Sequence, residues 1–284
     1  MLTAKQIPFL SHASSLTSYH SPTQPNNLTV IALHGFTGSG QDFQPIVQLA
    51  QGHLNWYTLD LPGHGPNTSL ITKDYSLELY LDAIHTVAQF YKLNQFILLG
   101  YSMGGRLALH YTIRYPTAVK ALTLIGVSPG IEKFKERQER FKQDQKLSKW
   151  ILKNDIKTFI DFWMQTPPIR SQKNIPPSLL HTFLERKYQH LPSGLSAALI
   201  GLSPGKIYSL WKEIKNITCP TLIISGEKDL EYIKIGKTMA TLLQNACYLS
   251  IPEAGHCAHL ENLPTFSKEF LNFLSSTHNE QKKF

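Results

Sequence analysis

The sequence predicts an α/β fold: a mostly parallel, doubly wound sheet with a helical lid inserted into it. Three observations carry that expectation. Short apolar runs alternate with stretches of helical spacing at both ends of the chain, one long charged segment without strand signals interrupts the rhythm, and a glycine-flanked serine stands where a strand run meets a helix run. Strands alternating with helices imply parallel pairing with helices on both faces of the sheet.

Taken in order, residues 1–27 are rich in Ser, Thr, Pro and Asn and are expected to hold only a short edge strand or loop. Leu28-Thr-Val-Ile-Ala-Leu33 is a continuous apolar run that stops at His34-Gly35, the signature of a strand buried on both faces. Asp42 to Ala50 has helical spacing, and Trp56 to Asp60 reads as the next strand. Tyr75 to Tyr91 places Leu77, Leu81, Ile84 and Ala88 on one helical face. Gln95 to Leu99 is a third strand, Leu107 to Tyr115 a helix closed by Pro116, and Ala121 to Ile125 a fourth strand.

The pattern changes at Ser128-Pro-Gly130. Glu132 to Lys149 is densely charged, and helical spacing without strands continues to about Trp211. The rhythm resumes with Thr221 to Gly226, then Cys247 to Ile251 as a last strand and Thr265 to Ser275 as a closing helix. The expected division is therefore a first part of the core over 1–127, a lid over 128–215 and a second part of the core over 216–284.

Composition sets limits on function. At 284 residues, 42% hydrophobic and 17% charged, the chain suits one large core and is not disordered. Cys219, Cys247 and Cys257 are odd in number and unpatterned, and read as buried thiols in a reducing compartment. No stretch approaches the roughly 20 apolar residues of a membrane helix, and Met1 to Leu10 fails as a signal peptide. A cytoplasmic, monomeric protein is expected, in which the Asn-x-Ser/Thr triplets at Asn27, Asn67 and Asn216 are chance matches. The net charge of +8 is spread along the chain without a nucleic-acid motif, so an anionic small molecule is the preferred partner, with no nucleic acid.

The central chemical signal is Gly100-Tyr-Ser-Met-Gly104 between a strand and a helix. In that setting the glycines permit a sharp turn that holds Ser102 above the sheet edge, and the helix aims its positive end at developing charge. A serine needs a base and an orienting acid, in the chain order Ser, acid, His. Glu227 and Asp229 both follow a strand, and Asp229 lies further into the loop, where it can reach a histidine. His256, directly after Gly255 in the loop following the last strand, is the candidate base; His259 lies one turn on, where it packs or caps. His34 marks an oxyanion loop, with the backbone N–H groups of Phe36 and Met103 as donors. Leu59-Asp-Leu-Pro-Gly-His-Gly65 reads as a turn stabilised by Asp60 and its glycines.

His34-Gly-Phe36, Leu59 to Gly65, Gly100-Tyr-Ser-Met-Gly-Gly-Arg106 and Ala254-Gly-His256, in this order, resemble the α/β-hydrolase superfamily over about residues 28 to 275. Arg106, one helical turn after the serine, makes the nucleophile motif similar to that of the 2-succinyl-6-hydroxy-2,4-cyclohexadiene-1-carboxylate synthase family. The segment with Arg140, then Asp161-Phe-Trp163 and Leu184-Glu-Arg186, is similar to that family's lid in type and spacing. The resemblance implies a carbon–oxygen lyase of menaquinone or phylloquinone biosynthesis that eliminates pyruvate from a polycarboxylate precursor without a cofactor or metal. It implies Ser102 as a His-activated base and Tyr101, Arg106, Arg140, Trp163 and Arg186 as substrate-binding residues. The family usually carries Asp-x-Lys-Phe/Tyr after the acid; this chain has Asp229-Leu-Glu-Tyr232, with Lys228 and Lys234 as cations that could substitute. A carboxylesterase or C–C bond hydrolase with the same triad is the alternative, and its lid would be more apolar.

Overall fold

The computed structural model describes residues 1–50, 52–65 and 75–281. The Asn67 triplet lies outside them. Eight strands form one sheet in the order β1-β2-β4-β3-β5-β6-β7-β8. They are β1 (Thr3–Phe9), β2 (Ser11–His20), β3 (Leu28–Leu33), β4 (Leu54–Leu59), β5 (Phe96–Tyr101), β6 (Val119–Ile125), β7 (Thr221–Gly226) and β8 (Ala246–Ile251). All pairs from β4 to β8 are parallel, whereas β1–β2 and β2–β4 are antiparallel.

The two-faced burial expected of β3 is visible residue by residue. Ile31 and Leu33 join one core, Val30 and Ala32 the other. The first core is covered by α2 (Leu77–Phe90), α3 (Met103–Arg114) and α8 (Leu230–Leu242); the second by α1 (Gln44–Leu49) and α10 (Leu263–Gln281), with Phe266 and Phe270 fully buried. The short α9 (Ala258–Glu261) leads into α10.

Two expectations need correction. Residues 1–27 hold a full hairpin rather than a short edge strand or loop: β1 alternates exposed residues with buried Ile7 and Phe9, and β2 continues the sheet through Ser18–Leu59, Tyr19–Thr58 and His20–Tyr57. The polar composition of β1 is that of an edge strand wet on one face. Of the three thiols only Cys257 is buried, while Cys219 is half-buried and Cys247 exposed.

Between β6 and β7 the described chain forms helices only, α4 (Phe134–Lys153), α5 (Ile156–Trp163), α6 (Pro177–Tyr188) and α7 (Pro192–Gly201). Proline opens α6 and α7, where a missing N–H costs nothing, and the Asp155 side chain caps α5 by accepting from Thr158 N–H. Ile151, Phe159, Ile160, Leu195 and Leu199 give these helices a small core of their own, against which Phe36 packs. Among the described residues, no helix is long and apolar enough to cross a membrane.

Candidate active site

The site begins at the junction of β5 and α3. Ser102 has φ 51° and ψ −111°, a positive-φ conformation that costs a non-glycine residue about 1–3 kcal/mol. The flanking glycines act differently from the sequence expectation, because neither has positive φ. They allow close approach: a Cβ at Gly100 would lie 2.5 Å from Gly105 Cα, and one at Gly104 would lie 2.3 Å from the Leu33 carbonyl oxygen. The serine carries the strain itself, and its N–H is fixed to the Ile125 carbonyl at 2.9 Å.

His256 Nε2 stands 3.0 Å from Ser102 Oγ, and His256 Nδ1 stands 2.7 Å from Asp229 Oδ2. With Nδ1–H donating to the carboxylate, Nε2 presents a lone pair to the serine hydroxyl. Gly126 makes room for the ring, since a Cβ there would come within 2.9 Å of His256 Cε1. The histidine loop is held by its backbone: Gly255 and Cys257 N–H donate to Glu261, and His256 N–H to Ser171 Oγ. Glu227 is exposed and accepts from Glu253 N–H, a structural role.

Phe36 and Met103 line the same cavity as Ser102. Met103 is the first residue of α3, so its N–H has no acceptor within the helix. Gly35 brings the preceding loop close: a Cβ there would sit 2.8 Å from the Tyr101 ring and 3.4 Å from Ser102 Cβ. His34 secures this loop as a neutral side chain, accepting from Leu61 N–H at Nε2 (3.0 Å) and donating from Nδ1 to the Gly35 carbonyl (2.7 Å). Asp60 is fully buried and accepts from Tyr19, Ser39 and Gly40, a turn-stabilising role.

A cavity opens over Ser102 and His256. Phe36, Met103, Arg106, Arg140, Trp163 and Tyr232 line it, with Ala198, Leu199 and Leu202 supplying an apolar wall. Arg106 is half-buried, and its buried Nε finds no hydrogen-bond partner among the described residues. Burial pushes its guanidinium below the ordinary value and the neighbouring Arg140 adds to this, while Tyr232 and Asp144 oppose it. Arg140 is differently held: its Nε donates to both oxygens of the buried Asp144, which also accepts from Ser203. Trp163 packs edge-on to Phe36 (5.4 Å) while lining the cavity, so it serves both the helical core and the site wall.

Two predicted substrate contacts lie elsewhere. Arg186 turns away and donates from Nε to Asp42 Oδ1 at 2.8 Å, lining a separate surface pocket. Its partner is distant in sequence, so local spacing could not reveal it. Tyr101 faces a second, smaller cavity behind the serine, where its hydroxyl accepts from Gln172 Nε2 at 3.2 Å. Glu231 is exposed on the first turn of α8, where a carboxylate complements the helix dipole, and Lys228 pairs with Glu253; neither lines the main cavity. Tyr232, which sequence reasoning does not single out as a binding residue, packs against His256 at 4.6 Å and lines the cavity. Its place three residues after Asp229 is the available signal.

Comparison with known proteins agrees with the fold. The family described as alpha/beta hydrolase fold matches residues 29–263. A Bacillus subtilis (strain 168) protein, provisionally named 2-succinyl-6-hydroxy-2,4-cyclohexadiene-1-carboxylate synthase, is 32% identical over 87% of this chain and 90% of its own length. The chain belongs to this synthase family, within the α/β-hydrolase fold. Another 2-succinyl-6-hydroxy-2,4-cyclohexadiene-1-carboxylate synthase, from Photorhabdus laumondii, is 29% identical over 87% of this chain and 85% of its own. The structure of MenH from S. aureus superposes with a TM-score of 0.86 at 28% identity, covering 92% of this chain and 98% of that one.

The histidines around the site bear on stability as well as on chemistry. His259 packs between Tyr101 and Phe43 and is held neutral, burial pushing it down to about 3; burial likewise takes His34, His110 and His190 to about 4. Because these folded values lie below the unfolded value of 6.5, the unfolded chain binds more protons between them. Stability is therefore full above about pH 6.5 and falls as the pH drops from there toward 4. Each histidine can withdraw up to about 3 kcal/mol by pH 4. We expect denaturant midpoints to fall steeply between pH 6.5 and 4.5, and His259→Phe to flatten that slope while keeping most turnover. An unchanged slope would remove His259 from the acid response.

Proposed function

We propose that this protein eliminates pyruvate from 2-succinyl-5-enolpyruvyl-6-hydroxy-3-cyclohexene-1-carboxylate to give 2-succinyl-6-hydroxy-2,4-cyclohexadiene-1-carboxylate, serving menaquinone or phylloquinone biosynthesis. The observation that carries the reading is the half-buried Arg106 guanidinium, which lines the cavity one helical turn from Ser102 with its Nε unpartnered among the described residues. A buried donor of a cation left without a partner is costly, and an anionic substrate group supplies what the protein leaves out. The names of the synthase relatives support the same reaction.

The change in ring double bonds defines the chemistry. A proton leaves C2, beside the succinyl ketone; the electrons form C2=C3, move C3=C4 to C4=C5 and expel the C5 enolpyruvyl oxygen, so pyruvate departs as its enolate. Ser102 Oγ takes the C2 proton as its own hydroxyl proton passes to His256 Nε2, and Asp229 stabilises the imidazolium that results. Charge then collects on the ketone oxygen, where Phe36 and Met103 N–H groups serve as donors worth roughly 3–4 kcal/mol each. Arg106 and Arg140 hold substrate carboxylates, with Trp163 and Tyr232 packing on the ring. Arg186 braces the protein through Asp42 in this scheme, and Tyr101 supports His256 and His259 from behind.

The helices of 128–215 act as a lid in this account, excluding water that would otherwise quench the enolate. We also assign the protein to the cytoplasm as a monomer, in keeping with its few, unpaired thiols. The hydrolase alternative uses the same triad on an ester, but two guanidiniums in the cavity favour a substrate rich in carboxylates. The test is direct: incubation with the authentic precursor is expected to release one pyruvate per conjugated diene formed. Rapid cleavage of neutral p-nitrophenyl esters with no pyruvate release would favour the hydrolase.

A further inference from the structure

Behind the loop that carries Phe36 lies a buried lysine that the chemistry above does not use. Lys187, near the end of α6, is 2% exposed. Its Nζ donates to Thr37 Oγ1 at 2.8 Å and to the Thr37 carbonyl at 3.2 Å. His190, at the corner between α6 and α7, approaches the same carbonyl with Nε2 at 2.9 Å. Gly65 N–H donates to His190 Nδ1 at 2.9 Å, which fixes the tautomer and leaves Nε2–H to donate to Thr37.

Thr37 is a non-glycine residue with φ 63°, directly after Phe36, inside the turn closed by Gly38 N–H donating to the Gly35 carbonyl. Such a conformation persists only where neighbours over-determine it. Two donors on one carbonyl, one of them charged, do so here. Burying an ammonium is costly, and no carboxylate among the described residues lies within ion-pair distance of Lys187. The cost is met at the back of the loop rather than in the helical core.

We propose that Lys187 and His190 are positioning residues for the oxyanion loop, acting through the Thr37 carbonyl and so coupling the α6–α7 corner to the reacting site. This rests on the reading of Phe36 N–H as an oxyanion donor. The groups facing Lys187 are Asp42 from the turn before α1, Arg186 on α6, His34 and His190, Cys257 in the histidine loop, and His259 across the small cavity. Burial, aided by Arg186, lowers the lysine to about 8 against the opposing pull of Asp42 and Cys257. The ammonium is therefore present below about pH 8 and lost as the pH rises above it.

The test follows kcat and KM for pyruvate release against pH in wild type, Lys187→Met and Lys187→Arg. Because small displacements of donors cost heavily in rate, Lys187→Met should lower kcat on the order of 10- to 100-fold with KM within about twofold. Wild-type kcat should fall above pH 8, and Lys187→Arg, which keeps its charge, should extend the plateau to higher pH. Hydrogen exchange of the 34–40 segment, corrected for the intrinsic effect of pH, should accelerate in unmodified protein across pH 8 while α3 stays protected. Wild-type kcat in folded Lys187→Met, or 34–40 protection unchanged across pH 8, overturns the proposal. If wild type releases no pyruvate, the functional reading fails on its own and the exchange measurement still decides the clamp.

Discussion

Ser102→Ala is expected to lower turnover of the precursor by about 10⁴-fold or more, His256→Ala by a similar factor, and the double variant by little beyond either. The 3.0 Å and 2.7 Å links through His256 make serine, imidazole and Asp229 one proton-transfer unit. Removing one member disables the others, so the losses overlap instead of multiplying. What survives comes from the oxyanion donors and substrate orientation, which neither substitution touches. Single-turnover kinetics on the three variants check this. Losses that multiply in the double variant would show that Ser102 and His256 act in separate steps.

Arg106→Met should produce a loss of roughly 100-fold in kcat/KM for the precursor, given about 1.5–3 kcal/mol for a charge-assisted contact, together with a gain in stability. The combination follows from the unpartnered Nε. A guanidinium whose buried Nε lacks a partner destabilises the free protein, and an apolar replacement of similar volume relieves that by about 1–3 kcal/mol. Arg106→Lys should recover only part of the activity, since an ammonium cannot make the planar two-point contact. A neutral p-nitrophenyl ester should be almost insensitive to either change. Parallel measurement of kcat/KM on both substrates and of thermal midpoints checks the pair of effects. Equal losses on both substrates, with a lowered midpoint, would mean that Arg106 supports the fold instead of the substrate.

Much of the fold and of the site is legible in the amino-acid sequence. β3, β5, β6 and β7 are buried on both faces, so their sequences are mostly apolar, and the helices between them carry a 3.6-residue period. The serine turn is readable because its glycines answer local steric demands. Ser102, Asp229 and His256 each follow a strand, and a parallel sheet delivers such positions to one edge.

The remainder depends on contacts between distant segments. The β1–β2 hairpin is nearly as polar as a loop, and among the described side chains Ile7, Phe9, Leu16 and Tyr19 are its buried apolar ones. Helix α8 buries little more than Gly236 and Met239, so its apolar period is faint and gives no helix signal in the sequence. Arg186 and Lys187 are adjacent basic residues that read alike in sequence. In the fold one pairs with Asp42 and the other is buried against Thr37, about 150 positions away. Neither fate can be inferred from periodicity, because each is set by which loop α6 covers.

The central claim is that this triad removes a ring proton and does not hydrolyse a bond. The measurement that tests it most directly uses precursor carrying deuterium at C2 and follows both pyruvate and the label. The account predicts one pyruvate per turnover, complete loss of deuterium from the ring as the conjugated diene appears, and a slower rate than with unlabelled precursor. Pyruvate released with the deuterium still on C2 and no diene formed would contradict it, since the enolpyruvyl group would then have left by hydrolysis.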